Sequence, residues 1–289
     1  MTRIAFIGFG EAGGAFAPAC VAAGPVRAYD CKTSDPATRE GKIADCKRAG
    51  VVACDTAADA LDNAEAVLSL VTADQAMAAA RAGGPHLGTG SLWLDANSVA
   101  PDTKRAAAET VEAAGGRYVD VAVMAPVYPA RSNVPLLVSG PHAADAVAML
   151  ANLGFTSAKI VPGAVGRAAA IKMIRSVVVK GIEALTAECL LAAHQAGVLD
   201  DVLASLDDSP TPAAWPARAD YNLGRMIEHG LRRAAEMEEV VKTLDAIGTG
   251  SAMTRGTVVR QPDIGALRLS PGGDLGAKLG LLNSRKHAA

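Results

Sequence analysis

Residues 4–13 read Ile-Ala-Phe-Ile-Gly-Phe-Gly-Glu-Ala-Gly, an apolar run that passes directly into G-x-G-x-x-G at Gly8, Gly10 and Gly13. The alanine-rich helical segment Glu11–Ala23 follows. Strand, glycine turn and helix in that order are the context a dinucleotide-binding loop requires. The first glycine permits the tight turn, the second lets the backbone approach a pyrophosphate, and the third allows close helix–sheet packing. The helix N-terminus adds unpaired N–H groups and the positive end of its dipole. Gly8, Phe9, Gly10, Glu11, Ala12 and Gly13 are therefore the expected cofactor loop. Asp30 closes the next strand, Val26–Asp30. Its carboxylate would accept hydrogen bonds from the adenosine ribose and repel a 2′-phosphate, which favours NAD over NADP. Lys32 lies close enough in sequence to offset part of that repulsion, so NADP stays open. The bland alternative is a glycine-rich turn in another α/β protein, and the agreement of strand, spacing and acid argues against it.

The first half of the chain repeats this alternation. Arg3–Ile7, Val26–Asp30, Val51–Cys54, Ala66–Val71, Leu92–Asp95, Tyr118–Val123, Leu136–Ser139 and Ala158–Val161 read as strands. Helical patterns lie between them, including a short helix in Pro36–Gly50 and another over Ala143–Leu153. Such alternation predicts a mostly parallel sheet covered on both faces. After Pro162-Gly163 the pattern becomes helical throughout: Val165–Gly197, Asp200–Leu206, Pro216–Gly230 and Leu231–Ile247, with a glycine-rich polar tail from Val258 expected to be loosely ordered. The predicted fold is α/β: a Rossmann-like, mostly parallel sheet over residues 1–163, then an all-α domain over residues 164–289. Val71-Thr72 and Asn97-Ser98 follow two strand ends, where open α/β sheets bind ligands. Ordinary helix capping by Thr72 and Ser98 is the competing reading.

Composition excludes several classes. The formal charge of −2 gives no basic footprint for nucleic acid. The five cysteines form no C-x-x-C pair and are odd in number, so neither a disulfide framework nor a metal site is indicated. No run approaches the roughly 20 apolar residues that span a bilayer, and the N-terminus enters a strand at once. The expectation is a cytoplasmic protein with a small-molecule substrate and neither membrane nor nucleic-acid partners.

The segment Val165–Leu191 carries a second signal. At about 100° per residue, Lys172, Ser176, Val179 and Glu183 fall on one stripe, with Arg175 at its flank, and apolar residues cover the rest. A helix so apolar is normally buried, and a buried lysine is rare unless paired or used. Beside a nicotinamide, a lysine amine can take or give the proton that accompanies hydride transfer. Burial and Arg175 would lower its affinity for that proton, and Glu183 would raise it. The structural alternative is an ion pair of Lys172 with Glu183 or Glu188, or a lysine stem snorkelling to solvent. A second copy of the chain could complete the helix's burial, which predicts a homodimer.

Together these residues resemble the β-hydroxyacid dehydrogenase superfamily, which includes 3-hydroxyisobutyrate and 6-phosphogluconate dehydrogenases. The resemblance covers roughly residues 3 to 250. It implies a Rossmann domain, a long interdomain helix and an all-helical C-terminal domain, usually dimeric. Its more specific element is Gly-x-x-Gly-x-x-x-x-x-Lys at Gly163, Gly166 and Lys172, which by resemblance makes Lys172 the catalytic acid–base group. Arg175 and Ser176 stand where the family has asparagine, and Met124-Ala125 stand where its substrate loop has serine and glycine. These four are the expected substrate contacts. Because methionine donates no hydrogen bond, either Arg175 supplies the anion contact or the substrate is a bulkier, less polar alcohol. The later segments resemble a branch with a distinct C-terminal domain of unassigned function. There His229, Arg232, Arg233 and Glu236 either line the cleft or form a charged helical face. The functional expectation is an NAD-dependent oxidoreductase acting on a CH–OH group. The alternatives are an imine reductase-like enzyme, in which another residue commonly replaces the lysine, and a non-catalytic dinucleotide-binding protein.

Overall fold

A computed structural model describes residues 1–208, 214–270 and 272–286. The chain divides into two compact units, Met1–Val177 and Val178–Ala289. The first contains the strands β1 (Ile4–Ile7), β2 (Val26–Tyr29), β3 (Val52–Ala53), β4 (Ala66–Ser69), β5 (Leu92–Asp95), β6 (Arg117–Val123), β7 (Leu136–Ser139) and β8 (Ala158–Ile160). Between them lie α1 (Glu11–Ala23), α2 (Cys31–Ser34), α3 (Pro36–Arg48), α4 (Ala57–Leu61), α5 (Ala76–Gly83), α6 (Pro101–Ala113) and α7 (Ala143–Asn152). Helix α8 (Arg167–Gln195) begins in the first unit and ends in the second, and α9 (Leu199–Asp207), α10 (Trp215–Ile247), α11 (Ala252–Gly265) and α12 (Leu275–Lys286) complete the chain. The break between units therefore falls inside α8, beyond the Gly163 turn.

The strands form one sheet in the order β3-β2-β1-β4-β5-β6-β7-β8. Pairing is parallel except between β6 and β7. The strand order reverses between β1 and β4, and that switch point opens a crevice at the carboxyl ends of the strands. Side chains alternate across the sheet, so each strand feeds two cores. Ile4, Phe6, Leu68, Leu94, Val119 and Val121 pack with Phe16 and Leu150 on one face. Ala5, Ile7, Val67, Trp93 and Tyr118 pack with Leu61, Ala107 and Val111 on the other. Burial on both faces explains why these strands read as continuous apolar runs.

One row breaks that rule. Ser69 pairs in register with Asp95, Asp95 with Asp120, and Asp120 with Ser139. All four are at most 1% exposed. Four buried polar residues side by side across the sheet are costly unless each finds a partner, and these partners build the site described below.

The second unit departs from the sequence reading in two ways. The predicted helices over 216–230 and 231–247 are one helix, α10, running unbroken through Gly230. Gly230 is there for contact, not to break the helix: an added Cβ would lie 2.4 Å from the Gln261 carbonyl oxygen and 2.9 Å from the Gly265 Cα. Gly265 meets Gly230 reciprocally, so α10 and α11 touch backbone to backbone. The tail predicted to be loose from Val258 is mostly helical among the described residues. Val258 lies within α11, and α12 follows. Glu188, one proposed partner of Lys172, instead caps α11, accepting from the Met253 N–H at 2.9 Å and from the Thr254 N–H and hydroxyl at 2.9 and 2.6 Å. The side chains of Glu183 and Glu236 lie outside the described set.

Helix α8 was expected to be buried. Its residues Ile174, Ile182, Leu185 and Leu191 are instead 71%, 48%, 45% and 60% exposed in the single chain, and Lys172 is half-buried. Among the described residues no helix is long and apolar enough to cross a membrane.

Candidate dinucleotide cleft

The glycine loop forms because its backbone is held from several sides. Gly8 has φ +88°, and a Cβ there would lie 2.7 Å from the Leu70 carbonyl oxygen, so only glycine fits between β1 and β4. The Phe9 ring is buried, stacks on Phe6 with centroids 5.9 Å apart, and would lie 2.9 Å from any Cβ at Gly13. The third glycine thus makes room for the loop's own phenylalanine. The Phe9 N–H donates to Asp30 Oδ2 at 2.7 Å, and its carbonyl accepts from Lys42 Nζ at 2.7 Å. Asp30 Oδ1 also accepts from the Lys32 N–H at 3.0 Å. Asp30, expected to contact a ribose, is here seen to fix the loop itself. Lys42, on α3, is a participant the sequence reading missed, since nothing local links it to a residue 33 positions away.

Gly10 is different. No atom lies within 4 Å of where its Cβ would be, and α1 begins behind it with no side-chain cap. The open backbone and uncapped N–H groups suit a pyrophosphate, which is the fit expected for a dinucleotide. Glu11, exposed in the first turn, opposes that charge.

A cleft of about 480 Å³ opens beside the loop. Its walls include Glu11 and Ala12 from α1, Val71 and Thr72 beyond β4, Asn97 and Ser98 beyond β5, Ala125 and Pro126 beyond β6, and Lys172 from α8. The structure thus brings together residues that are far apart in sequence. Lys172 Nζ donates to Ser98 Oγ at 2.6 Å. Ser98 is not the cap of α6, which begins after Ala100, and Thr72 makes no capping bond to the turn that follows it. Asn97 is buried and occupied: its Oδ1 accepts from the Val71 N–H at 2.7 Å and its Nδ2 donates to Ser69 Oγ at 2.9 Å. It ties the ends of β4 and β5 together, leaving its neighbour Ser98 to meet Lys172.

The expected substrate residues divide. Ala125 lines the cleft. Arg175 donates to the Met124 carbonyl at 3.3 Å, tying α8 to the segment after β6. The Ser176 hydroxyl donates to the Lys172 carbonyl one turn back, at 2.9 Å.

Beneath the cleft lies a buried ionic cluster that sequence reasoning missed. Lys104, 1% exposed, donates to Asp95 Oδ1 at 2.9 Å and lies 3.6 Å from Asp120 Oδ1. Tyr118 donates to Asp95 Oδ2 at 2.7 Å. Burial and the Asp95 charge push the Tyr118 hydroxyl far above its ordinary pKa, so it remains a donor. Asp120 Oδ2 accepts from Ser139 Oγ at 2.9 Å and from the Gly166 and Ala169 N–H groups, each at 3.1 Å. The Ala168 N–H donates to Ser139 Oγ at 3.0 Å. Gly166 has φ +95°, and a Cβ there would lie 2.9 Å from an Arg105 nitrogen and 3.1 Å from Pro101. The Gly163–Gly166–Lys172 spacing thus has a physical basis: Gly166 makes the turn that delivers the first N–H groups of α8 to Asp120.

Residues 3–160 match the family described as the NAD binding domain of 6-phosphogluconate dehydrogenase. Residues 193–264 match a domain of unknown function, DUF1932. A conserved hypothetical protein from Sinorhizobium meliloti 1021 is 37% identical, with 99% of this chain and 97% of that one covered and a TM-score of 0.61. Two more distant structures share the fold. Mycobacterium tuberculosis 3-hydroxyisobutyrate dehydrogenase is 18% identical over 98% of this chain and 99% of its own, with a TM-score of 0.59. An imine reductase from Myxococcus stipitatus, in complex with NADP+, is 17% identical over 96% and 99%, with a TM-score of 0.69. Glycine turn, switch-point cleft and sequence match agree: this chain belongs to the family of the NAD binding domain of 6-phosphogluconate dehydrogenase, here joined to a DUF1932 domain.

Proposed function

We propose that the chain is a nicotinamide-dependent oxidoreductase acting on a hydroxyl-bearing carbon, with Lys172 moving the hydroxyl proton. The observation that carries this reading is the Lys172 ammonium, 2.6 Å from Ser98 Oγ, in the cleft that Glu11 and Ala12 of the cofactor loop also line. A bound nicotinamide supplies the hydride acceptor or donor. The chain supplies everything else. Gly10 and the uncapped start of α1 hold phosphates. Asp30 favours an unphosphorylated ribose and hence NAD. Ser98 keeps the Lys172 amine turned into the cleft. In alcohol oxidation the neutral amine accepts the hydroxyl proton, and in carbonyl reduction the ammonium returns it. The apolar walls from Val71, Val123, Ala125 and Val127 suit a substrate with a hydrocarbon body.

Lys172→Ala should lower turnover of the responsive alcohol by at least about a hundredfold, with the Kd for NAD within twofold of wild type. The assay is steady-state kinetics across a panel of hydroxyacids and larger alcohols, alongside calorimetric cofactor titration. Near-normal turnover would remove Lys172 from the chemistry. An imine substrate is the second reading, favoured by Met124-Ala125, which offers no side-chain hydrogen-bond donor to a carboxylate. Cyclic imines assayed with NADH and NADPH decide between the two.

A further inference from the structure

The row Asp95, Asp120 and Ser139 runs across three neighbouring strands, on the face opposite Leu94, Val119 and Val138. Two of these residues do more than satisfy each other. Asp120 accepts the N–H groups of Gly166 and Ala169, and Ser139 accepts that of Ala168. Those are the entry and first residues of α8, and Lys172 follows within one turn of Ala169. A helix is stiff along its axis, so fixing its first N–H groups fixes the height and rotation of the side chain one turn later. The opposite end of this short lever is equally defined, because the Lys172 ammonium meets Ser98 at 2.6 Å. Ser98 in turn follows Asn97, whose side chain bonds to Val71 and Ser69.

We infer that Asp120 and Ser139 are positioning residues for Lys172: they clamp the first turn of α8 to the sheet and so set where the amine stands in the cleft. Neither lines the cleft, and both are fully buried. Asp120 faces two positive groups in this position: Lys104 Nζ lies 3.6 Å from its Oδ1, and the N-terminus of α8 presents its positive dipole end to its Oδ2. The catalytic meaning of the clamp rests on the oxidoreductase reading above. The clamp itself does not.

The test uses the full chain and two substitutions. Asp120→Asn removes the charge, and Ser139→Ala removes one hydroxyl and is the milder change should the first fail to fold. Two measurements need no substrate. Amide hydrogen exchange at Gly166, Ala168 and Ala169 should accelerate at least about fivefold, the factor for one hydrogen bond of typical net strength. Lysine amines carrying ¹³C-methyl labels, with the Lys172 signal identified by its loss in Lys172→Arg, should show that signal shifted and its titration midpoint moved. With substrate, kcat should fall at least about tenfold while the KM for the dinucleotide stays within twofold. Asp120→Asn should add nothing further in a Lys172→Ala background, because both changes act through the same group. Unchanged exchange and an unchanged Lys172 signal in both variants would overturn the clamp, whatever the kinetics. A shifted signal in a chain whose turnover survives Lys172→Ala would leave the clamp standing and defeat the catalytic reading instead. A loss in Ser139→Ala that persists undiminished without Lys172 would show that the clamp serves the fold and not the amine.

Discussion

Helices α8 and α11 both begin against a carboxylate carried by a distant element, and the two carboxylates sit in opposite surroundings. Asp120, from the middle of the sheet, is 0% exposed and shares its pocket with Lys104, Asp95 and Ser139. Glu188, from α8, is partly exposed and takes its hydrogen bonds from Met253 and Thr254. The same capping chemistry therefore has different consequences. A cap at the surface can be lost and replaced by water. A cap inside a buried charge cluster cannot, because each member is desolvated and depends on the others. The first unit has placed its unforgiving polar groups beneath the cleft, and the second unit relies on close helix contact and replaceable caps.

The sharpest way to break this comparison is Lys104→Met. The apolar side chain approximates the volume of lysine but leaves Asp95 and Asp120 buried without their cation. Removing one partner from a buried ion pair costs about 3–5 kcal/mol, so the urea midpoint of the first unit should fall accordingly. A loss under about 1 kcal/mol would mean that the cluster is no more demanding than a surface pair, and the contrast with Glu188 would collapse.

Close helix contact is the second unit's counterpart. Gly230→Ala adds a methyl group 2.4 Å from the Gln261 carbonyl oxygen, at the crossing of α10 and α11. Alanine gains about 1 kcal/mol in helix propensity over glycine, and overpacking costs about 1–3 kcal/mol. The backbone oxygen has little room to move, so the cost should dominate and the second unit should melt earlier. Cofactor affinity should stay within twofold, because the glycine loop is built wholly from the first unit. A stabilised variant would show that the crossing is looser than these distances imply.

These two tests also mark what the sequence made legible. The glycine loop could be read because its signature is local, an apolar strand, a turn and a helix start within a few residues, although Leu70, Asp30 and Lys42, which hold that loop in place, come from farther along the chain. The Gly163–Gly166–Lys172 segment could be recognised by its spacing, although the reason for that spacing could not. Asp120 meets Gly166 and Ala169 across 46 and 49 residues, and Lys172 meets Ser98 across 74. No periodicity encodes such pairings. A usable signal was nonetheless present: AVLS, LWLD and LLVS each end an apolar strand run on one polar residue, YVDVAV interrupts one with Asp120, and the register places those residues side by side. Gly230 was misread for the opposite reason. A glycine in a helical pattern signals either a break or a contact, and only the partner Gly265, 35 positions on, tells which.

The smallest expected effect separates the two caps by pH. Burial alone would raise the pKa of Glu188, but the hydrogen bonds from Thr254 and Met253 outweigh it and hold the carboxyl below its ordinary value. A carboxyl whose folded pKa is depressed contributes stability that is fully present above its unfolded pKa of about 4.3, and that stability is lost as pH falls through the folded value. Glu188→Gln keeps one acceptor oxygen and loses the charge facing the α11 dipole, which should cost about 0.5–1 kcal/mol at pH 7. The wild-type advantage should hold steady down to about pH 5 and shrink below about pH 4, as read from denaturation of both proteins across that range. The Lys104 contrast gives the complementary expectation: at pH 7 and pH 5 alike, Lys104→Met should cost several times more than Glu188→Gln. An advantage for wild type that persists unchanged at pH 3 would mean that the Glu188 charge contributes nothing to the cap. The two helix starts would then differ in kind rather than in degree of burial.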